Sequence, residues 1–133
     1  MGKNGVLGAG GKFVIEYDEE KKVVTISTPG NNLIEISDDA KSITLKDQHR
    51  NEIVMNDNGI KLTSAKDIVL KAQGDISIEA PGKLKVKAMH DVAIEGMNIN
   101  VKAQECAKVT GTALAELSAS GQTTVKGGMV MIN

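Results

Sequence analysis

An eight-residue repeat occupies the second half of the chain, from Gly59 onward. In each octad the second, fourth and sixth residues fall on one side of an extended backbone, and the fourth residue is apolar in all nine octads. Side chains alternate between the two faces of a strand, whereas a helix would need an apolar period near 3.6. The repeat therefore predicts strands of about five residues joined by tight corners, without helices.

Small residues recur at the sixth position of the octads, which is Ala, Gly or Ser throughout. Gly74, Pro81, Gly82 and Gly121 fall between octads, where the chain must turn. Small side chains fit a backbone that bends toward a crowded axis. We therefore predict a β-helix whose core contains Ile68, Leu70, Ile76, Ile78, Leu84, Val86, Val92, Ile94, Ile99, Val101, Val109, Leu117 and Val125.

The number of chains in this β-helix follows from its length. Three octads make one triangular turn of roughly 24 residues, so residues 59–133 would give a single chain only about three coils with two unpaired ends. Three parallel chains wound around one axis leave no open edge along the shaft. We therefore predict an all-β fold, a homotrimeric intertwined parallel triangular β-helix. Outward charges of alternating sign fit either arrangement: Lys71, Glu79, Lys87, Glu95 and Lys102.

Residues 12–58 have a looser alternation of apolar and polar residues. Five short apolar stretches are spaced nine or ten residues apart, with turn-forming clusters such as "TPGNN" and "NDNG" between them. We interpret this part as an irregular β neck, a β-prism or meander that leads directly into the needle at residues 59–133. Residues 1–11 are rich in glycine and lack a pattern, so we expect a flexible start.

The composition argues against several classes of function. Only 2% of residues are aromatic and the net charge is -1, so neither base-stacking side chains nor a basic surface for nucleic acid is expected. His49 and His90 stand alone, Ser118 and Ser120 lack an activating partner, and Cys106 is the one cysteine. We expect no enzyme, no metal and no cofactor. No apolar stretch resembles a signal peptide, so synthesis in the cytoplasm is expected.

Three stretches carry a family resemblance. The octads "DIVLKAQGDISIEA", the closing "SASGQTTVKGGMVMIN" and the approach "GNNLIEISDDAKSITLKDQHRNEIVMNDNGIKLTSAKDI" resemble the C-terminal needle of VgrG proteins. VgrG proteins are the spikes of type VI secretion systems and are similar to the central spikes of contractile phage tails. The resemblance implies a homotrimer that is assembled in the cytoplasm, carried on a contractile tube and ejected through a target membrane. The base domains that bind the tube in this family are missing from the sequence, so tube attachment is not expected of this chain by itself.

The resemblance also implies a partner, a small PAAR-repeat protein that sits on the C-terminal tip of the needle. An apolar end of a repeat protein invites association. We therefore predict a tip surface, although the same residues could simply complete the core: Met129, Val130, Met131, Ile132 and Asn133.

Two other function classes stay open. A trimeric tailspike-like fibre could bind surface glycan, although such fibres usually present aromatic platforms and paired carboxylates. A self-assembling β-solenoid scaffold would polymerise through its apolar ends. Discrete trimers would favour the spike, and long filaments would favour the scaffold.

Overall fold

Seven short strands make up the regular secondary structure of the computed structural model. The structure describes the backbone of residues 4–7 and the whole of residues 13–132, and within these residues it contains no helix. The all-β prediction is thus confirmed. The strands are β1 (Asn4–Leu7), β2 (Val14–Asp18), β3 (Val23–Ser27), β4 (Leu33–Ser37), β5 (Ser42–Lys46), β6 (Glu52–Asn56) and β7 (Gly59–Thr63).

The strands form one antiparallel meander in chain order, with each strand hydrogen-bonded to the next. β2 to β6 coincide with the five alternating stretches of the sequence. β7 consists of the first five residues of the first octad, and it pairs antiparallel with β6. β1 lies in the Gly-rich start, the rest of which is outside the described residues.

Turn chemistry explains why the chain reverses between strands. Asp18 Oδ1 accepts the backbone N–H groups of Glu20 and Lys21, each at 3.0 Å, at the start of the turn between β2 and β3. Such side-chain oxygens replace the backbone partners that a turn leaves unpaired. Left-handed φ angles of 48° to 71° occur in the first four turns after β2, at Lys22, Asn31, Lys41 and Arg50.

The octads form no strand or helix within a single chain, from residue 64 to residue 132. The backbone nevertheless bends at octad spacing, and Gly74, Pro81, Gly82 and Gly121 all lie at bends. The bends occur at residues 65–66, 73–74, 81–82, 89–90, 97, 104–105, 112–113, 120–121 and 128–129. One step of the series is a residue short near Met97, where the sequence repeat also drops a residue.

The absence of in-chain strands in the octads has a geometric reason. Parallel neighbours in a sheet need a crossover connection of a dozen or more residues. A bend of one or two residues supplies neither a crossover nor a hairpin, so consecutive octads cannot pair with each other. The predicted octad strands therefore need partners from outside the chain, and the intertwined trimer stays a proposal.

A hydrophobic core is missing from the part of the chain that the structure describes. No hydrophobic side chain there is buried, and Ser37, at 5% exposure, is the one buried polar residue. The chain exposes 13249 Å², whereas a compact monomer of 14.0 kDa exposes about 6,700 Å². The difference is larger than the roughly 2,000–5,000 Å² of many obligate interfaces, so the single chain lacks the burial that stabilises a folded domain.

Candidate self-association surface

One face of the meander is apolar on every strand from β2 to β7. The hairpin registers place apolar residues directly opposite each other, so that two continuous rows cross six strands. The first row is Ile15, Ile26, Ile34, Leu45, Ile53 and Leu62, and the second is Tyr17, Val24, Ile36, Ile43, Met55 and Ile60. We call these twelve residues the apolar face.

The opposite face is mostly polar. Its central row runs Glu16, Thr25, Glu35, Thr44, Val54 and Lys61 across the same six strands. A half-buried sheet typically shows this contrast, with one face against a core and one against water. No described residue covers the apolar face, whose side chains range from intermediate exposure at Ile53 and Met55 to 76% exposure at Ile60.

An open groove runs over the first row of the apolar face. It is bordered by Ile26, Ile34, Leu45, Ile53 and Leu62, and Ile68 of the octad segment also lines it. The groove therefore extends the apolar surface of the sheet to the first predicted core residue of the octads. An exposed apolar patch of this extent marks a site of association in a water-soluble protein.

All thirteen predicted core residues of the octads are exposed in the single chain. Their exposure ranges from 50% at Ile68 to 92% at Val109. Because the octads lack in-chain partners, the structure brings none of these residues into a core. Their burial in a trimer remains a prediction.

The predicted tip residues are exposed as well. Met129, Val130, Met131 and Ile132 form four consecutive apolar positions, three of them at least 80% exposed. Asn133, the fifth residue of the predicted tip, lies outside the described residues.

Sequence reasoning did not identify the apolar face as part of the core. The alternation within each strand was visible, but the alignment of six strands depends on where each hairpin turns. The spacing of nine or ten residues between strands was the available signal. Two strands of five residues with a turn of four or five bring like positions opposite each other.

Asp47 accepts several hydrogen bonds in the turn between β5 and β6. It accepts the backbone N–H of His49 at 2.8 Å and that of Asn51 at 2.9 Å, and the Asn51 carboxamide at 2.7 Å. His49 Nδ1 lies 3.6 Å from its second oxygen. The Asn51 backbone N–H foremost, with the other donors, lowers the pKa of Asp47 below its usual 3.8.

Acid is therefore expected to weaken this turn. Because the folded pKa of Asp47 is below the unfolded one, its contribution is complete above pH 3.8 and is lost as the pH falls through the folded pKa. The melting temperature should decline below about pH 4, and Asp47→Asn should reduce the slope of that decline. An unchanged slope in thermal scans of the variant would assign the acid sensitivity to other groups, with Asp18, whose pKa is also lowered, as the first candidate.

Other chemical groups do not form a site in the part of the chain that the structure covers. No cluster of three or more His, Cys, Asp or Glu residues there could hold a metal ion. Cys106 is an exposed free thiol. Among the described residues, no helix has the length and hydrophobicity needed to cross a membrane.

Comparison with known protein families gives a match to part of the chain. A comparison with curated proteins gives no match. Residues 23–86 match the family described as the phage baseplate V C-terminal trimerisation domain, which includes β3 to β7 and the octads up to Val86. The match covers just under half of the chain and supports self-association into a trimer. The central segment of the chain is thus similar to a trimerisation domain of phage baseplates, and this similarity supports a structural, phage tail-like protein.

Proposed function

We propose that the chain forms the rigid shaft of a membrane-puncturing spike in a contractile injection system such as type VI secretion. Three copies pack their apolar faces together and wind their octads into an intertwined triangular β-helix. The observation that carries the proposal is the absence of any buried hydrophobic side chain in the described residues. Apolar residues ordered at two regular periods, with nothing in the described residues to cover them, need partners from outside the chain, and further copies of the chain carry the same two periods.

The trimerisation match supports the proposal that other copies of the chain cover both the apolar face and the inward residues of the octads. It begins at the first residue of β3 and extends to the third predicted pair of core residues, Leu84 and Val86. The matched segment therefore includes most of the apolar face and the first part of the octads. Both belong to one interface in this proposal.

Stiffness is the property that a puncturing shaft needs. In a closed parallel shaft every backbone donor and acceptor pairs with a neighbouring strand, so bending breaks many hydrogen bonds together. The exposed outward charges keep the sides of the shaft polar. The role is mechanical and involves no catalysis, and it fits a particle assembled in the cytoplasm and ejected into a target cell.

Docking of a PAAR-repeat protein is the second part of the proposal. Residues 129–132 present four apolar side chains in succession, whereas most outward positions of the preceding octads carry polar residues. A concentrated apolar surface of this kind is stabilised by a partner that removes it from water. The partner would be a capping protein with a complementary apolar base.

Met131→Asp is expected to weaken binding of a PAAR-repeat protein by at least about tenfold. A carboxylate would have to be desolvated at the centre of the contact, at a cost of more than 1.4 kcal/mol. Deleting residues 130–133 should abolish binding. Calorimetric titration of the trimer with the purified PAAR-repeat protein measures both effects.

Lys126→Asp is the matched control for the tip, because it places the same carboxylate at an outward position of the last octad. It should bind the PAAR-repeat protein as the unaltered chain does. If the truncated trimer retained full affinity, the docking assignment would be wrong while the trimeric shaft could still stand.

A further inference from the structure

Three connections with described side chains lie at one end of the meander. The turn between β3 and β4 (residues 28–32), the turn between β5 and β6 (residues 47–51) and the segment after β7 (residues 64–66) share this end because successive strands run in opposite directions. The first two reverse the chain into the next strand. The third directs the chain out of the sheet and into the octads.

The two turns share one arrangement of side chains. In the first, Thr28 Oγ1 accepts the carboxamide of Asn32 at 2.9 Å and its backbone N–H at 3.4 Å. In the second, Asp47 makes the equivalent pair of contacts with Asn51, at 2.7 and 2.9 Å. Each asparagine is thereby held with its carboxamide oxygen available to another group.

That oxygen contacts the next connection along the sheet. Asn32 Oδ1 accepts the backbone N–H of Gln48 at 3.3 Å and so links the first turn to the second. Asn51 Oδ1 accepts the hydroxyl of Ser64 at 2.9 Å and the backbone N–H of Ala65 at 3.1 Å. Asn51 therefore holds the point at which the chain leaves the sheet.

Ser64 is the last residue with partial burial among those described. Its hydroxyl also accepts the backbone N–H of Lys66 at 3.2 Å, which shapes the first bend. Every described residue from Ala65 onward is exposed. The contacts of Asn51 thus precede the octad segment directly.

The octads themselves contain little information about register. Each repeat contacts only its neighbours in a repeat structure, so a slip of one chain by one octad loses pairing mainly at the ends. A shift of eight residues also leaves apolar residues at the inward positions of the first octads, because the pattern repeats. Something outside the repeat has to select one alignment of the copies.

We propose that Asn51 sets this alignment by fixing the start of the octads to the end of the sheet, an inference that rests on the trimeric shaft proposed above. The three sheets associate through their apolar faces at one height. The Asn51 clamp then places residues 64 and 65 of each copy at the same distance from that contact. Asn51 acts as a positioning residue for assembly and makes no contact with another copy in this role.

The test is hydrogen exchange with mass spectrometry on the full-length trimer. In the unaltered chain, peptides from the octads should show a single isotopic envelope. Asn51→Ala removes both contacts to the segment after β7 and should increase opening of residues 64–66 by roughly tenfold, the effect of one or two typical hydrogen bonds. Its octad peptides should show two envelopes, one for aligned copies and one for slipped copies, while peptides from β3 to β6 keep one.

Asn32→Ala is the matched control, because it removes the same type of carboxamide from the turn between β3 and β4. Asn32 contacts Gln48 in the turn between β5 and β6 and not the segment after β7. Its octads should keep one envelope. Ser64→Ala removes a single contact of the clamp and should give a smaller slipped population, which keeps the test informative if Asn51→Ala does not assemble.

Single envelopes in both Asn51→Ala and Ser64→Ala would overturn the inference. If the unaltered chain were not trimeric by light scattering, the proposed function would fail first and this inference with it. If the unaltered chain were trimeric and Asn51→Ala did not change the octad envelopes, only the role proposed for Asn51 would be contradicted.

Discussion

Ile53→Asp is expected to leave the chain monomeric, whereas Val54→Asp should still form trimers. The two residues are neighbours on β6, but Ile53 lies on the apolar face between Leu45 and Leu62, and Val54 lies on the polar face beside Lys61. Each Ile53→Asp chain loses about 2 kcal/mol of apolar burial. Desolvating the new carboxylate costs several kcal/mol more, and a trimer contains three copies of the change.

Light scattering on a sizing column measures this difference as molar mass. The unaltered chain and Val54→Asp should elute with three times the mass of one chain, and Ile53→Asp with the mass of one chain. Trimers of Ile53→Asp would show that the apolar face is not an interface between copies. Filaments of the unaltered chain would favour a self-assembling scaffold over a spike.

Val86→Glu should destroy the order of the octads around it, and Lys87→Glu should leave it nearly intact. The residues are adjacent, yet the repeat predicts Val86 inward and Lys87 outward. In the proposed trimer the same carboxylate would be buried three times around the axis in one variant and hydrated in the other. Burial without a partner costs several kcal/mol per charge. Losing the attraction between Lys87 and opposite charges on neighbouring strands costs about 0.2–1 kcal/mol.

Hydrogen exchange of octad peptides reports the effect locally. We expect exchange at least about a hundredfold faster in Val86→Glu, which corresponds to roughly 2.7 kcal/mol, and a change within about tenfold in Lys87→Glu. Equal exchange in both variants would contradict the inward assignment of the fourth octad position. The trimer mass of Val86→Glu could persist through the apolar faces, so exchange and not mass decides this prediction.

Local periodicity was the part of the architecture that the sequence revealed well. Alternation of side chains across an extended backbone is a property of each strand, so β2 to β6 could be located without knowledge of their neighbours. The bends at octad spacing and the short step near Met97 follow from small and turn-forming residues in the same local way.

Pairing was harder to predict. β7 has the composition of an octad, yet it pairs antiparallel with β6, because the turn at residues 57–58 is short enough to close a hairpin. The apolar face was missed because it exists only after the five hairpin registers from β2 to β7 are known. The role proposed for Asn51 depends on contacts between residues 13 and 14 positions apart, for which the sequence has no periodic signal.

The amino-acid sequence alone determined that this protein is built from short extended segments with one apolar side, since both features depend on neighbouring residues along the chain. Only the tertiary structure decided that residues 14–63 close their hydrogen bonds within one chain while residues 64–132 form no strand there. The physical reason is the connection between segments. A turn that reverses the chain lets neighbouring strands pair their backbone N–H and C=O groups with each other, whereas a bend that carries the chain forward leaves those groups to partners from outside the chain.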